Sequence, residues 1–336
     1  MPELRLNPIT REWAVIATER SRRPHDFKKA DETPAPKPDH APTCPFCTGN
    51  EAMTPPEVEA FREPGAQPDS PGWWVRTVPN KFPALAPEGV FQPQPVGVYL
   101  RAEGVGTHEV IIETPVHNQT PATMPAPQWR EAVRMYQRRL QALCRDSRYK
   151  SLLLFRNEGR VAGASLEHPH AQLVALPFVP PVIQRFVDGV ARYRAEHGKS
   201  PFEAILEQEH REGVRLVHTT PHYTAFVPYF ARVPFEVWIL PNTPQAHFQH
   251  GGDSERDAFA DILQHVLQRI DAVLSQPPYN FMLFTAPVNT ETEAEFHWFL
   301  RIAPRLTIDA GFEIGTGVGI NITAPEDAAR YLRGEG

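Results

Sequence analysis

The sequence predicts an α+β fold of mainly antiparallel sheets with flanking helices, made by using one strand, helix, strand, strand unit twice. Three observations predict it. Proline, 37 of 336 residues, crowds into DETPAPKPDHAPTCP and recurs from Pro55 to Pro95, where a residue without an amide donor favours extended or looped chain over helix. Short alternating β-branched runs mark strands. The order of elements that begins near residue 108 returns near residue 235.

Taken in order, WAVIAT near Trp13, WWVRTV near Trp74 and THEVIIE near His108 are the strands of a loop-rich N-terminal region. From Gln128 to Leu143 the residues Trp129, Val133, Tyr136, Leu140 and Leu143 recur at steps of four, three, four and three, one buried face of a helix. SLLLF and QLVALP follow as strands. HEVIIETP from His108 then aligns with FEVWILPN from Phe235, 235 − 108 = 127, and the same offset puts Leu140 and Leu143 on Leu267 and Ile270, Phe155 on Met282 and HPHAQLVALP on EFHWFLRIAP. A period this long implies two packed modules rather than a solenoid. We expect modules at 1–178 and 179–336, the second preceded by a charged helical linker over 180–213. At this offset His170 keeps a partner in His297, whereas His168 meets Glu295, Gln172 meets Phe299 and His108 meets Phe235. The divergence points to one working site, in the first module.

Composition narrows the function. A hydrophobic share of 41% with 10% aromatics supplies a core, and 22% charged residues is too low for a disordered chain. With 34 basic against 40 acidic residues and a net charge of -6, nothing neutralises a nucleic-acid backbone. MPELRLNPIT lacks the apolar core of a signal peptide, and no run approaches the roughly 18 apolar residues of a membrane helix, so a cytoplasmic protein is expected. Three cysteines cannot build a disulfide framework. Cys144, on the helix, reads as a small buried hydrophobe.

The chemistry gathers in a few residues. Cys44 and Cys47 in CPFC, with His108 and His168, offer two thiolates and two imidazoles, a set suited to tetrahedral zinc, one per chain. Four protein ligands close the shell and make the role structural. A redox dithiol shares the spacing but wants a helix start after a strand, whereas CPFC lies among prolines; a plain reduced pair is the remaining alternative. Alternation sends His168, His170 and Gln172 to one face. An imidazole is a competent nucleophile toward phosphorus, and Gln172 could donate to a phosphoryl oxygen. Upstream, NEGRVAGAS brings Asn157, Gly159, Gly163 and Ser165, a loop whose amides and hydroxyl suit phosphate.

HPHAQ with NEG eleven residues before its first histidine, CPFC, GTHEVIIETPVHN, the opening LNPITREWAVIATERSRRP and the closing GFEIGTGVGINITAPEDAARYLR together resemble the galactose-1-phosphate uridylyltransferase family of the histidine-triad superfamily. The resemblance implies tandem histidine-triad (HIT-like) modules and a ping-pong reaction. His170 would attack the α-phosphorus of UDP-glucose, and the uridylyl-histidine would pass UMP to galactose 1-phosphate. It implies that Gln172 contacts the transferred phosphoryl group, that Asn157, Gly163 and Ser165 lie on the phosphate side, that Arg20 and Arg23 lie near the diphosphate, and that Asn80 lies near the uridine. It implies zinc on Cys44, Cys47, His108 and His168, and a homodimer whose pockets the partner completes. A second metal site of some members looks absent, with Phe284, Phe299, Arg301 and Ala303 where histidines could lie; His297 would remain as a pocket or structural residue. The tail keeps Glu313 but has Gly319 where the better-known members carry a glutamine that reaches the hexose phosphate, a feature similar to the ADP-glucose phosphorylase branch, which uses phosphate as acceptor. Pro169 between the two histidines is instead similar to the uridylyltransferases. Uridylyl transfer is the first expectation, nucleotide-sugar phosphorolysis the second, and a non-catalytic zinc-stabilised nucleotide-binding protein the third.

Overall fold

A computed structural model describes residues 1–17, 19, 27, 37–290 and 295–336. Its strands are β1 Glu3–Leu6, β2 Trp13–Ile16, β3 Glu59–Arg62, β4 Trp73–Pro79, β5 Gln94–Val96, β6 Tyr99–Arg101, β7 Thr107–Ile112, β8 Ser151–Glu158, β9 His170–Leu176, β10 Leu216–Thr219, β11 Tyr223–Phe226, β12 Val237–Pro241, β13 Tyr279–Phe284, β14 Phe299–Pro304 and β15 Gly319–Asn321. The helices are α1 Ala126–Leu143, α2 Pro181–His197, α3 Pro201–Glu212, α4 Asp253–Leu274, α5 Gly311–Thr316 and α6 Pro325–Arg333. None of them is long and apolar enough to cross a membrane.

Ten strands join in one sheet in the order β10-β11-β12-β14-β13-β8-β9-β7-β4-β3. Read outward from its middle pair, the sheet repeats itself: β8, β9, β7 on one side, β13, β14, β12 on the other. The middle pair is antiparallel, and in it Phe155 lies opposite Met282, 282 − 155 = 127. A local two-fold therefore runs through this pair. The helices obey it too: Gln137 of α1 donates to the Gly251 carbonyl ahead of α4 at 2.7 Å, and Gln264 of α4 donates to the Met124 carbonyl ahead of α1 at 3.0 Å. Both donors and both acceptors are 127 apart, 264 − 137 and 251 − 124.

Register corrects the alignment further out. Phe155 pairs with Gln172 and Met282 with Arg301, so Gln172 corresponds to Arg301, 301 − 172 = 129, and His170 to Phe299. Gln172 pairs in turn with Val110 and Arg301 with Trp238, 238 − 110 = 128, which carries His108 onto Glu236. The contacts agree: His108 Nε2 lies 2.8 Å from Gln172 Oε1, and Arg301 Nη2 donates to Glu236 Oε2 at 3.0 Å. His297 is thus the counterpart of His168, not of His170. Each sends Nε2–H to a carbonyl near the end of the neighbouring strand, Thr114 for His168 at 2.7 Å and Pro241 for His297 at 2.8 Å. A gap-free offset had slipped by two residues because the loops between strands differ in length.

α1 and α4 cover one face of the sheet, burying Trp129, Tyr136, Leu140, Leu263 and Leu267 against Leu154, Leu173, Ile239 and Leu283. On the other face of the second half, the segment expected to be a linker forms α2 and α3. Ile183, Phe186, Val190, Phe202 and Leu206 pack there on Trp238, Phe284 and Phe299. Ser200 and Glu203 close a capping box at the start of α3. Among the described residues, the matching face of the first half is covered by a loop that carries Cys44, Phe46 and Cys47 against Trp73, Val110 and Ile112, with no helix pair there. That face is where a site can form.

Candidate functional site

His170 opens β9, opposite Ile112 of β7. Its side chain is 7% exposed. Nδ1 lies 2.8 Å from the His168 carbonyl, which can only accept, so Nδ1 carries the proton and Nε2 keeps a free lone pair. Burial, with help from the Arg156 charge, lowers the imidazole to about 4 and keeps it neutral near pH 7. The Phe46 ring, from CPFC, meets His170 edge-on at 5.3 Å.

Gln172 lies two residues along β9. Ala84 N–H points to His108 Nδ1 at 3.4 Å, which leaves the proton on Nε2 to donate to Gln172 Oε1 at 2.8 Å. With its carbonyl oxygen so engaged, the Gln172 amide nitrogen remains as the donor. Asn80 stands 3.2 Å from the same His108 Nε2 and accepts the Phe82 N–H at 2.9 Å. His108, Gln172 and Asn80 therefore form one cluster.

This placement overturns His108 as a metal ligand. His108 pairs with Val174, six residues along from His168, about 20 Å at strand spacing. The chain that does reach His168 is the one just past β7, and the imidazole there belongs to His117. Cys44, Cys47, His117 and His168 are all buried, with their donor atoms within 4.8 Å of one another. Cys47 Sγ is 3.5 Å from His117 Nδ1 and 3.6 Å from His168 Nδ1. Because His168 Nε2 is held by the Thr114 carbonyl at 2.7 Å, its Nδ1 is committed to the cluster, as a metal-ligating histidine requires. Burial pushes the Cys44 thiol up to about 11, and a bound cation would restore the thiolate. The group fits one metal ion. His168 lies before β9, which begins at His170, and turns its Nδ1 to Cys47 rather than toward Gln172, while Phe46 meets both the His168 and the His170 rings.

A cleft of about 660 Å³ opens beside His168, lined among others by Lys37, Arg156, Asn157, Arg160, Gly163 and Ser165. It brings together the three loop residues expected on the phosphate side. Gly159 and Gly163 adopt φ of 80° and 93°, a backbone region that favours glycine. Asn280 of β13 pins the loop, donating at 2.8 Å to both Asn157 Oδ1 and the Ala162 carbonyl. This contribution from the second half had no sequence signal, since strand pairing across the middle of the sheet is invisible to spacing. Glu313 lies in α5, where its carboxylate accepts the Ala310 N–H at 3.0 Å. Arg20 and Arg23 lie outside the described residues. Cys144 is half-buried at the end of α1 rather than buried.

Among the described residues of the second half the histidine is not repeated. Phe299, the counterpart of His170, stacks on Trp238 at 4.4 Å and on Phe284 at 4.7 Å.

Residues 1–180 match the profile of the galactose-1-phosphate uridyl transferase N-terminal domain, and residues 187–315 that of its C-terminal domain. The chain is 36% identical to an ADP-glucose phosphorylase of Arabidopsis thaliana, over 99% of this chain and 92% of that one. It is 32% identical to a galactose-1-phosphate uridylyltransferase of Thermotoga maritima, over 99% and 98%. A crystal structure of an ADP-glucose phosphorylase from Arabidopsis thaliana with bound ADP-glucose superposes with a TM-score of 0.81 at 32% identity, covering 99% of each chain.

Proposed function

Since the chain belongs to the galactose-1-phosphate uridyl transferase family, we propose that it is a nucleotidyltransferase that moves UMP between hexose 1-phosphates through a uridylyl-His170 intermediate. The observation that carries this reading is the buried neutral imidazole whose Nδ1–H is held by the His168 carbonyl, leaving Nε2 as the nucleophile two residues along the chain from His168, which lines the cleft. Nε2 attacks the α-phosphorus of UDP-glucose, the P–O bond to the β-phosphate breaks and glucose 1-phosphate leaves. A phosphate oxygen of galactose 1-phosphate then attacks the same phosphorus, the P–N bond breaks, and His170 returns to neutral. Gln172, oriented by His108, donates to the phosphoryl oxygen as charge builds, and Asn157, Gly163 and Ser165 hold phosphate in the cleft. Asn80, in the same cluster as His108 and Gln172, faces the nucleotide, while Arg20, Arg23 and Glu313 complete substrate binding.

The metal we assign is Zn²⁺, held by Cys44, Cys47, His117 and His168 with no open position. Its role is structural: the same loop carries Phe46 onto His170. A homodimer is part of the reading, and the exposed Val98, just before β6, with Tyr99 and Leu100 in it, supports this; sedimentation analysis tests it.

A second reading has one observation in its favour besides the 36% identity to an ADP-glucose phosphorylase. A side chain at Gly319 would put Cβ 2.7 Å from the Arg232 carbonyl, so this position offers no side chain to an acceptor sugar, which favours inorganic phosphate, the smaller acceptor. Intact mass separates the readings. UDP-glucose should add one UMP, lost in mild acid and absent in His170→Gly. An AMP adduct from ADP-glucose, discharged by phosphate, selects phosphorolysis; no adduct from either overturns both.

A further inference from the structure

Beneath His170, on the helix side of the sheet, lies a buried polar group to which the reaction above gives no step, although one of its members, Arg156, also lines the cleft. Glu113 is 0% exposed, Tyr136 1% and Arg156 2%. Tyr136 Oη donates to Glu113 Oε1 and Arg156 Nη1 to Glu113 Oε2. Arg156 Nη1 also donates to the backbone carbonyl of His170 at 3.1 Å, and Nη2 to Glu158 at 2.7 Å. The β8–β9 ladder ends at the pair Phe155 and Gln172, so at His170 the guanidinium stands in for a strand neighbour.

The second half shows what the fold needs there. By register and by the helix offset, Arg156 corresponds to Leu283 (283 − 156 = 127), Tyr136 to Leu263 (263 − 136 = 127) and Glu113 to Pro241 (241 − 113 = 128). Leu263 and Leu283 are each 1% exposed. The same architecture is thus packed with apolar side chains where no nucleophile follows. Apolar replacement of a buried ion pair is often neutral or stabilising, because the desolvation cost disappears. Stability alone gives no reason for the group to exist in the first half only.

We propose that Arg156, Glu113 and Tyr136 are positioning residues for His170: Tyr136 and Glu113 fix the guanidinium, and the guanidinium fixes the main chain from which the imidazole projects. The orientation matters because the His168 carbonyl that selects the Nδ1–H tautomer is only two residues away along this same chain. The inference rests on His170 being the nucleophile.

The test compares the parent with a triple variant, Arg156→Leu, Glu113→Leu and Tyr136→Phe, and with Tyr136→Phe alone. Three quantities are read: the melting temperature, the single-turnover rate of adduct formation with UDP-glucose (ADP-glucose in parallel), and the His170 tautomer from its ¹⁵N shifts. The triple variant should melt at or above the parent, form adduct at least tenfold more slowly at saturating nucleotide sugar, and show mixed tautomers. Tyr136→Phe should slow adduct formation with unchanged melting. Should the triple variant not fold, Tyr136→Phe decides: a lowered melting temperature with parental rate and a single tautomer overturns the proposal, as does a folded triple variant with parental rate and tautomer. If the parent itself takes up no nucleotide, the proposed reaction fails, and the tautomer comparison still decides positioning.

Discussion

At the residue scale, His117 takes the metal-ligand role that the sequence reading gave to His108. His108 and His117 both lie in GTHEVIIETPVHN, and donor chemistry alone could not choose between them. Register does: His108 is opposite Val174, beside the face that holds Gln172, while His117 lies past the end of β7 with Cys47 and His168. His117→Ala should therefore lower bound metal from about one equivalent to near zero and reduce the melting temperature, whereas His108→Ala should keep its metal and lose rate. Metal analysis beside kinetics checks this; retained metal in His117→Ala would overturn the assigned set.

His297 offers a separate test in solution. It is 1% exposed, and burial lowers it to about 4 from an ordinary 6.5. The unfolded chain takes up this proton first as pH falls, so the stabilisation is whole above pH 6.5 and is lost between 6.5 and 4. A depression of this size is worth on the order of 3 kcal/mol. His297→Met should flatten that part of a denaturant-midpoint against pH profile; an unchanged profile would assign the pH dependence to other groups.

At the scale of elements, strands and helices with strong periodicity were legible. The helix expected from Gln128 to Leu143 is Ala126–Leu143, and SLLLF and QLVALP are β8 and β9. What spacing could not show was the relation between elements. α2 and α3 look like a charged connector in sequence, yet Phe186 and Phe202 fill the face that the counterpart of the nucleophile would need. The missing glutamine at Gly319 also changes meaning. In β15, beside Ala14 of β2, a Cβ would lie 2.7 Å from the Arg232 carbonyl and 2.8 Å from its Cβ. Gly319→Ala should cost about 2 kcal/mol, the usual effect of overpacking, read from denaturant midpoints; a neutral result would show that the strand yields easily.

At the scale of the molecule, the ten-stranded sheet is continuous through β8 and β13, and α1 packs on α4, with the Trp129 indole donating to the Ala260 carbonyl at 2.9 Å. Halves 1–178 and 179–336 would each expose an inner strand edge and a helix face. We expect one cooperative transition for the whole chain and aggregation of either half expressed alone, with co-expression restoring a soluble pair. A half that is soluble and melts cooperatively by itself would sink this expectation. The repeat was readable because buried leucines keep their spacing; its true register was not, because loops can gain or lose residues without disturbing a core.

The pairing of Phe155 with Met282 has a further consequence. A symmetric homodimer built from one such module would carry every substitution twice, once in each site, so improving one site would always alter the other. With both copies in a single polypeptide that constraint is gone. One copy could acquire a phenylalanine in place of its nucleophile and a helical roof above it, while the other kept its histidine and a buried arginine. The seam that makes the two halves equal in architecture is what leaves them free to be unequal in chemistry.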